Sequence, residues 1–298
     1  ICASEIEVEQ RPRMGYYGEG IPTDGRKDRT MVENFIGEKT RKVALLIDGD
    51  NAQPSLVNQI LAEAGKYGLV TIRRIYGDWT TNSMSGWKNA LHDSAIQPIQ
   101  QFNYTTGKNA TDSALIIDAM DLLYTGKFDG FCIVSSDSDF TRLASRIRES
   151  GLTVYGFGER RTPKAFVQAC DRFIYTDILG RPEPVTETRT GGQVEVRPPR
   201  KSGRPGEDKA LIRLLKSAVD GCSDEDGWAY LAEVKNNVLN KKPDFDQRNY
   251  GYKKLKDLVE ETRLFEIHES STGDSPAKTI QVRYKKAKRK KGSRGYGD

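Results

Sequence analysis

From Lys42 onward, short apolar runs rich in β-branched residues alternate with stretches in which apolar positions recur every three or four residues. VALLI (43–47) predicts a strand, and the segment opened by Pro54 and running through SLVNQILAEAGKYG predicts a helix stopped by its late glycines. LVTIRRIY (69–76) predicts a second strand, followed by a helix around SGWKNALHDSA. IQPIQQF (96–102) predicts a third strand, and Pro98, which has no N–H to give a ladder, assigns it to an edge or an irregular position. Next come a long helix from Thr111 to about Tyr124, the strand GFCIVS, the helix DFTRLASRIRES with Gly151 as its stop, the strand LTVYGFG, a short helix at PKAFVQAC and the strand RFIYTDI. This alternation predicts an α/β domain, a mainly parallel sheet flanked by helices, in which ligands bind at the carboxyl ends of the strands.

The pattern changes twice more. RPEPVTETRTGGQVEVRPPRKSGRPG (181–206) is rich in Pro, Gly and charge, carries no hydrophobic period, and reads as a flexible linker of about 25 residues spanning roughly 25 to 30 Å. Such a linker lets the parts on either side act on one ligand without packing together. KALIRLLKSAVDG, WAYLAEVKNNVLNKK and RNYGYKKLKDLVEE are then helical, and LFEIHE and KTIQVRY flank the turn residues STGDSP. Three helices followed by a hairpin describe a small winged helix-turn-helix domain. The expected organisation is an extension at 1–41 that is mostly disordered, an α/β domain at 42–180, a linker at 181–206, a winged helix at 207–284 and a tail at 285–298.

Composition narrows the chemistry. With 36% hydrophobic and 30% charged residues and no apolar run near the roughly 18 residues of a membrane span, a transmembrane reading fails and no membrane partner is expected. The N-terminal residues lack a basic segment followed by an apolar core, so no secretory signal is expected. Cys2, Cys132, Cys170 and Cys222 are scattered without C-x-x-C spacing, which suits reduced thiols in a cytoplasmic protein. Only His92 and His268 are present, far apart, so imidazole-rich metal sites and His-based triads are not expected and catalysis must rest on carboxylates. The net charge of +5 is concentrated in VRYKKAKRKKGSRGYGD, where Lys285, Lys286, Lys288, Arg289, Lys290 and Lys291 favour a polyanion such as nucleic acid; a solvated solubility tail is the plainer alternative.

The acidic residues are placed more tellingly. The first strand ends in IDGDNA, with Asp48 directly after the apolar run and Asp50 and Asn51 behind it, and the fourth ends in SSDSDF, with Asp137 and Asp139. Asp112 opens the long helix, on the face shared by Leu115, Ile116 and Ala119 that packs on the sheet, whereas Asp118 lies roughly 120° away. Each acid taken singly could be a helix cap or a first-turn acid worth about 0.3 to 1 kcal/mol, with Thr111 as N-cap for Asp112. If strands one and four are neighbours, Asp48, Asp137, Asp139 and the start of the Asp112 helix converge on one edge. Charges about 5 Å apart repel by roughly 3 kcal/mol at an effective dielectric near 20, so the cluster calls for a cation. All-oxygen ligands with Asn51 as a neutral helper suit Mg²⁺ or Mn²⁺, and a metal so held fits hydrolysis of a phosphodiester. Lys108 and Ser135 or Ser136 are candidates to contact substrate phosphates; a solvent-facing loop residue is the plainer reading of each.

LLIDGDNA, TDSALIIDAMDLL and FCIVSSDSDFTRLASRIRESGLTVYGFG, in that order over about residues 42–180, resemble the NYN family of PIN-like nucleases, most closely its bacterial LabA-like branch. The resemblance implies a PIN-like fold and an Mg²⁺-dependent ribonuclease centre in which Asp48, Asp112, Asp137 and Asp139 form the acidic cluster and Asn51 follows the first motif. DGWAYLAEVKNNVLNKKPDFDQRNYGYKKLKDLVEETRLFEI resembles the OST-HTH, or LOTUS, domain. That resemblance implies a winged helix that binds RNA and sometimes protein partners, with Arg248, Tyr250, Lys253 and Lys254 presented to RNA; the alternative keeps Tyr250 and Tyr252 in the core. The expected activity is metal-dependent endonucleolytic cleavage of RNA held by the winged helix and the tail, and a homo-oligomer is compatible with it. The competing readings are an RNA-binding adaptor whose acidic site holds a cation without cutting, and a small-molecule phosphohydrolase, against which the winged helix and basic tail argue.

Overall fold

The computed structural model describes residues 40–102, 110–180, 204–271 and 278–285. In its first part, strands β1 (Lys42–Asp48), β2 (Leu69–Gly77), β3 (Gln97–Gln100), β4 (Gly130–Val134), β5 (Thr153–Gly158) and β6 (Arg172–Tyr175) form one sheet in the order β3-β2-β1-β4-β5-β6. Every pairing is parallel. Helices α1 (Val57–Ala64), α2 (Trp87–Ser94), α3 (Ala110–Tyr124), α4 (Thr141–Glu149) and α5 (Lys164–Ala169) connect the strands.

Alternation within β1 explains the two-sided core. Ala44 and Leu46 face the side covered by Leu115, Ala119, Leu143 and Ile147 of α3 and α4, while Val43, Leu45 and Ile47 face the side covered by Val57, Ile60 and Trp87 of α1 and α2. β1 is therefore apolar on both faces up to its last residue, Asp48, where burial continues but the chemistry changes. Pro98 lies in β3, the outermost strand beyond β2, where a missing N–H costs no second ladder.

The second part holds α6 (Lys209–Asp220), β7 (Ala229–Tyr230), α7 (Leu231–Lys241), α8 (Leu255–Glu261), β8 (Phe265–Ser271) and β9 (Lys278–Tyr284). Its strands form an antiparallel sheet in the order β7-β9-β8, whose Val282 builds a separate core with Leu211, Leu215, Val234, Val238 and Leu258 of the helices. This is the helical domain with a terminal hairpin that the periodicity predicts. Asp208 caps α6 by accepting from the Ala210 and Leu211 N–H groups.

The linker composition leaves the flanking parts free to act without packing together, and in the structure they touch. The N–H of Phe173, on the edge strand β6, donates to the Pro243 carbonyl at 2.9 Å, and Tyr175 Oη donates to Asp244 at 3.0 Å. The described residues from Arg41 onward belong to one compact unit. Pro205 and Gly206, read as linker, belong to the second part: Pro205 is buried, and Gly206 lies against the Thr262 carbonyl. The extension up to residue 39, residues 181–203 and the tail from Lys286 lie outside the described residues. No helix among the described residues is long and apolar enough to cross a membrane.

Candidate active site

The strand order reverses between β1 and β4, the place where a parallel sheet opens a crevice at its carboxyl edge. The β1–β4 ladder ends at the pair Ile47 and Val134. One residue further along each strand stand Asp48 and Ser135, and the Ser135 hydroxyl donates to Asp48 Oδ2 at 2.7 Å. Asn51 Nδ2 donates to the same oxygen at 2.8 Å, and the Asp50 N–H donates to Oδ1 at 3.2 Å. Burial raises the pKa of Asp48 above the ordinary carboxylate range, against the lowering effect of Ser135 and Asn51. Gly49 lets the chain pass close to the end of β2, because a Cβ on it would lie 2.7 Å from the Tyr76 carbonyl oxygen.

Ser135 carries the order onward. Its oxygen accepts the Asp137 N–H at 3.0 Å, and Asp137 Oδ1 accepts the Asp139 N–H at 3.0 Å as N-cap of the short turn Ser138–Phe140. SSDSDF is therefore a helix start and an acidic edge at once. Asp112, in the first turn of α3, comes in from the other side, and carboxylate oxygens of Asp112, Asp137 and Asp139 lie within 4.8 Å of one another. Burial, followed by the charges of Asp48, Asp137, Asp139 and Asp50, raises the Asp112 carboxyl to about 6. Asp118, two turns along α3, instead engages Arg74 and Tyr76.

The structure thus brings together Asp48, Asn51, Asp112, Asp137 and Asp139. The cation-sized group comprises Asp112, Asp137 and Asp139, with Asp48 fully buried behind it. The Ser135 side chain, a candidate for phosphate contact, is buried and joins Asp48 to the Asp137 backbone. Ser136 accepts the Glu159 N–H at 2.9 Å, which ties β4 to the end of β5. Lys108 lies outside the described residues.

In the second domain, the guanidinium of Arg248, which the family resemblance presents to RNA, is clamped by Glu63 and Asp246. Tyr250 is half-buried against Phe245 in the core, and burial raises its pKa. Lys253 and Lys254 are exposed at the start of α8. Lys285 is exposed and its Nζ donates to the Arg263 carbonyl at 3.0 Å. Lys286, Lys288, Arg289, Lys290 and Lys291 lie outside the described residues. Sequence reasoning missed Glu63 and the supporting role of Ser135; an acid in the last turn of an apolar-faced helix was the one available signal for Glu63.

Comparison with known proteins adds the following. The NYN domain family matches residues 42–179, and the OST-HTH/LOTUS domain family matches residues 206–276. No curated protein matches the chain. Among solved structures, a protein of unknown function from Vibrio parahaemolyticus is similar at 19% identity, covering 47% of this chain and 94% of its own, with a TM-score of 0.41. An uncharacterized protein from Nitrosomonas europaea shows 31% identity over 33% of this chain and 90% of its own, with a TM-score of 0.25. Acinetobacter baumannii MurG shows 12% identity over 45% of this chain and 41% of its own, with a TM-score of 0.32.

Proposed function

Because the chain carries an NYN domain followed by an OST-HTH/LOTUS domain, we propose that it is a divalent-metal-dependent ribonuclease that hydrolyses RNA phosphodiester bonds. The observation that carries this reading is the convergence of Asp112, Asp137 and Asp139 within 4.8 Å at the sheet's switch point. Fully ionised, any two of these carboxylates repel by about 3 kcal/mol at an effective dielectric near 20, and burial first, then the neighbouring carboxylates led by Asp48, raises the Asp112 pKa to about 6. Three hard oxygen donors fit Mg²⁺ or Mn²⁺. A divalent cation held by Asp112, Asp137 and Asp139 supplies Lewis acidity toward a phosphodiester oxygen and an attacking water.

The chain's own residues do the positioning. Asn51 and Ser135 fix the Asp48 carboxylate, Ser135 fixes the Asp137 backbone, and Asp137 fixes that of Asp139, so the acidic edge is preorganised from the β1 strand end outward. Asp112 must shed its proton before it can serve as a ligand. The OST-HTH/LOTUS domain, through Lys253 and Lys254, and the basic residues from Lys285 to Lys291 hold the RNA by phosphate contacts.

Labelled single-stranded and structured RNA incubated with Mg²⁺ tests this directly. Cutting is expected with Mg²⁺ or Mn²⁺, none with EDTA, and none from Asp48→Asn or Asp137→Asn. Tight binding without cleavage of any RNA would overturn the nuclease reading in favour of an RNA-binding adaptor. Deleting Tyr284 to Asp298 is expected to weaken RNA binding and to flatten its salt dependence.

A further inference from the structure

Outside the acidic centre, the most heavily built cluster of charged side chains joins the two domains. Glu63, near the end of α1, is 3% exposed, and Asp246, in the segment between α7 and α8, is 2% exposed. Arg248 bridges them. Its Nη1 and Nη2 donate to Glu63 Oε2 and Oε1, both at 2.9 Å, while its Nε and Nη2 donate to Asp246 Oδ1 and Oδ2 at 3.0 and 2.7 Å. Asp246 also accepts from Arg172 of β6 at 3.3 Å, and Glu63 also accepts from Lys66 at 2.8 Å and Tyr67 at 3.0 Å.

This network has the features that separate a built joint from an incidental surface pair. Both carboxylates are buried, both are satisfied by a planar fork whose geometry matches theirs, and charges of opposite sign are drawn from both domains. It is also flanked by contacts of other kinds. Arg172 lies over the Tyr67 ring, which stacks on Tyr155 with centroids 4.1 Å apart. The Phe173 N–H of the edge strand β6 is taken by the Pro243 carbonyl, and Arg160 donates to Asn249 at 2.5 Å. One short segment, residues 243–249, thus meets α1, the length of β6 and the loop after β5.

We propose that residues 243–249 of the OST-HTH/LOTUS domain are a docking plug for α1 and the β6 edge, with Arg248 as its key, so that the two domains act as one body instead of two modules on a tether. β6 lies two strands from β4 and the plug takes the place one strand further out, so with neighbouring strands about 4.8 Å apart the plug stands about 14 Å from the strand that delivers Asp137. If, as proposed above, the acidic centre cuts RNA, this joint fixes the number of nucleotides between the contact and the cut.

The test uses the full chain with a protease site inserted between Gly180 and Arg204, cleaved and then run on size exclusion at about 150 mM salt. Wild-type fragments are expected to co-elute at micromolar concentration. Glu63→Gln and Arg248→Ala are expected to weaken their association by about a hundredfold or more, and Arg248→Lys, which keeps the charge but loses the fork, by less. Circular dichroism of the uncut variants checks that each is folded, and the near-isosteric Glu63→Gln decides the matter if Arg248→Ala is not. Wild-type fragments that separate on cleavage, or fragments that associate equally well in Glu63→Gln, would overturn the proposal. The assay contains no RNA, so its outcome is independent of whether the acidic centre cuts.

Discussion

Asp112 and Ser135 show how single residues set the behaviour of the acidic edge. The folded-state pKa of Asp112, about 6, lies above its ordinary value of 3.8, so the folded protein holds this proton more tightly than the unfolded chain does. Metal-free stability is therefore expected to fall as pH rises from about 4 to about 6 and then to level off. The full shift corresponds to about 3 kcal/mol, and partial exposure of the side chain reduces it to about 1 kcal/mol. Asp112→Asn should accordingly raise the metal-free melting temperature by about 2 to 4 °C at pH 7.5 and leave it unchanged at pH 4, read by differential scanning fluorimetry. In the same assay the stabilisation of the native chain by Mg²⁺ should grow as pH rises through 6. Ser135→Ala removes a donor from the buried Asp48 and an acceptor from the Asp137 N–H, and is expected to cost about 1 to 3 kcal/mol in urea unfolding and to weaken the Mg²⁺ response. The four aspartates were legible because an acid directly after an apolar strand, or in a first helical turn, has its position fixed by its element. The bond from Ser135 to Asp48 was not legible, because a strand-end serine looks the same in sequence whether it faces solvent or a buried neighbour.

Among the elements, the ends of β4 and β5 and the orientation of α3 decide the site. Gly158, the last residue of β5, passes so close to the β4 end that a Cβ would lie 2.5 Å from the Ser135 carbonyl oxygen and 2.9 Å from the Phe173 ring. Gly158→Ala is expected to push the Ser135 segment off Asp48, costing about 1 to 3 kcal/mol in denaturant unfolding and more in Mg²⁺ affinity than a distant substitution of equal destabilisation. The helical period placed Asp112 and Asp118 on different faces, and the structure gives Asp112 to the acidic edge and Asp118 to Arg74 and Tyr76. Pro98 likewise marked its strand as an edge. Element ends were less legible: α3 begins at Ala110, and the Thr111 hydroxyl, expected as a cap, is buried without a partner among the described residues.

For the whole molecule, the joint between the domains carries its own pH signature. Burial alone would raise the Glu63 pKa, but Arg248, Lys66 and Tyr67 overcome it and hold the carboxyl near 2, below its ordinary 4.5. The stability this contributes is fully present above about pH 4.5 and is lost as pH falls from there toward 2. Glu63→Gln should therefore lower the melting temperature at neutral pH, and the gap from the native chain should shrink as acid is added over that window. The linker's composition said only that the intervening chain could be flexible. It could not say that Phe173 and Pro243, or Glu63 and Arg248, would meet, because such pairs are 70 and 185 residues apart and no local periodicity records them.

The two fold classes, the parallel sheet and the candidate aspartates can be read along the chain, since strand alternation, helical period and the residue that follows an apolar run are local properties. Folding brings out which carboxylates lie within a cation's reach, that Asp48 stands behind them on Ser135 and Asn51, and that Arg248 meets Glu63 across the two domains. Those are matters of contact across strands and domains, fixed by packing and by the requirement that every buried charge find its partner.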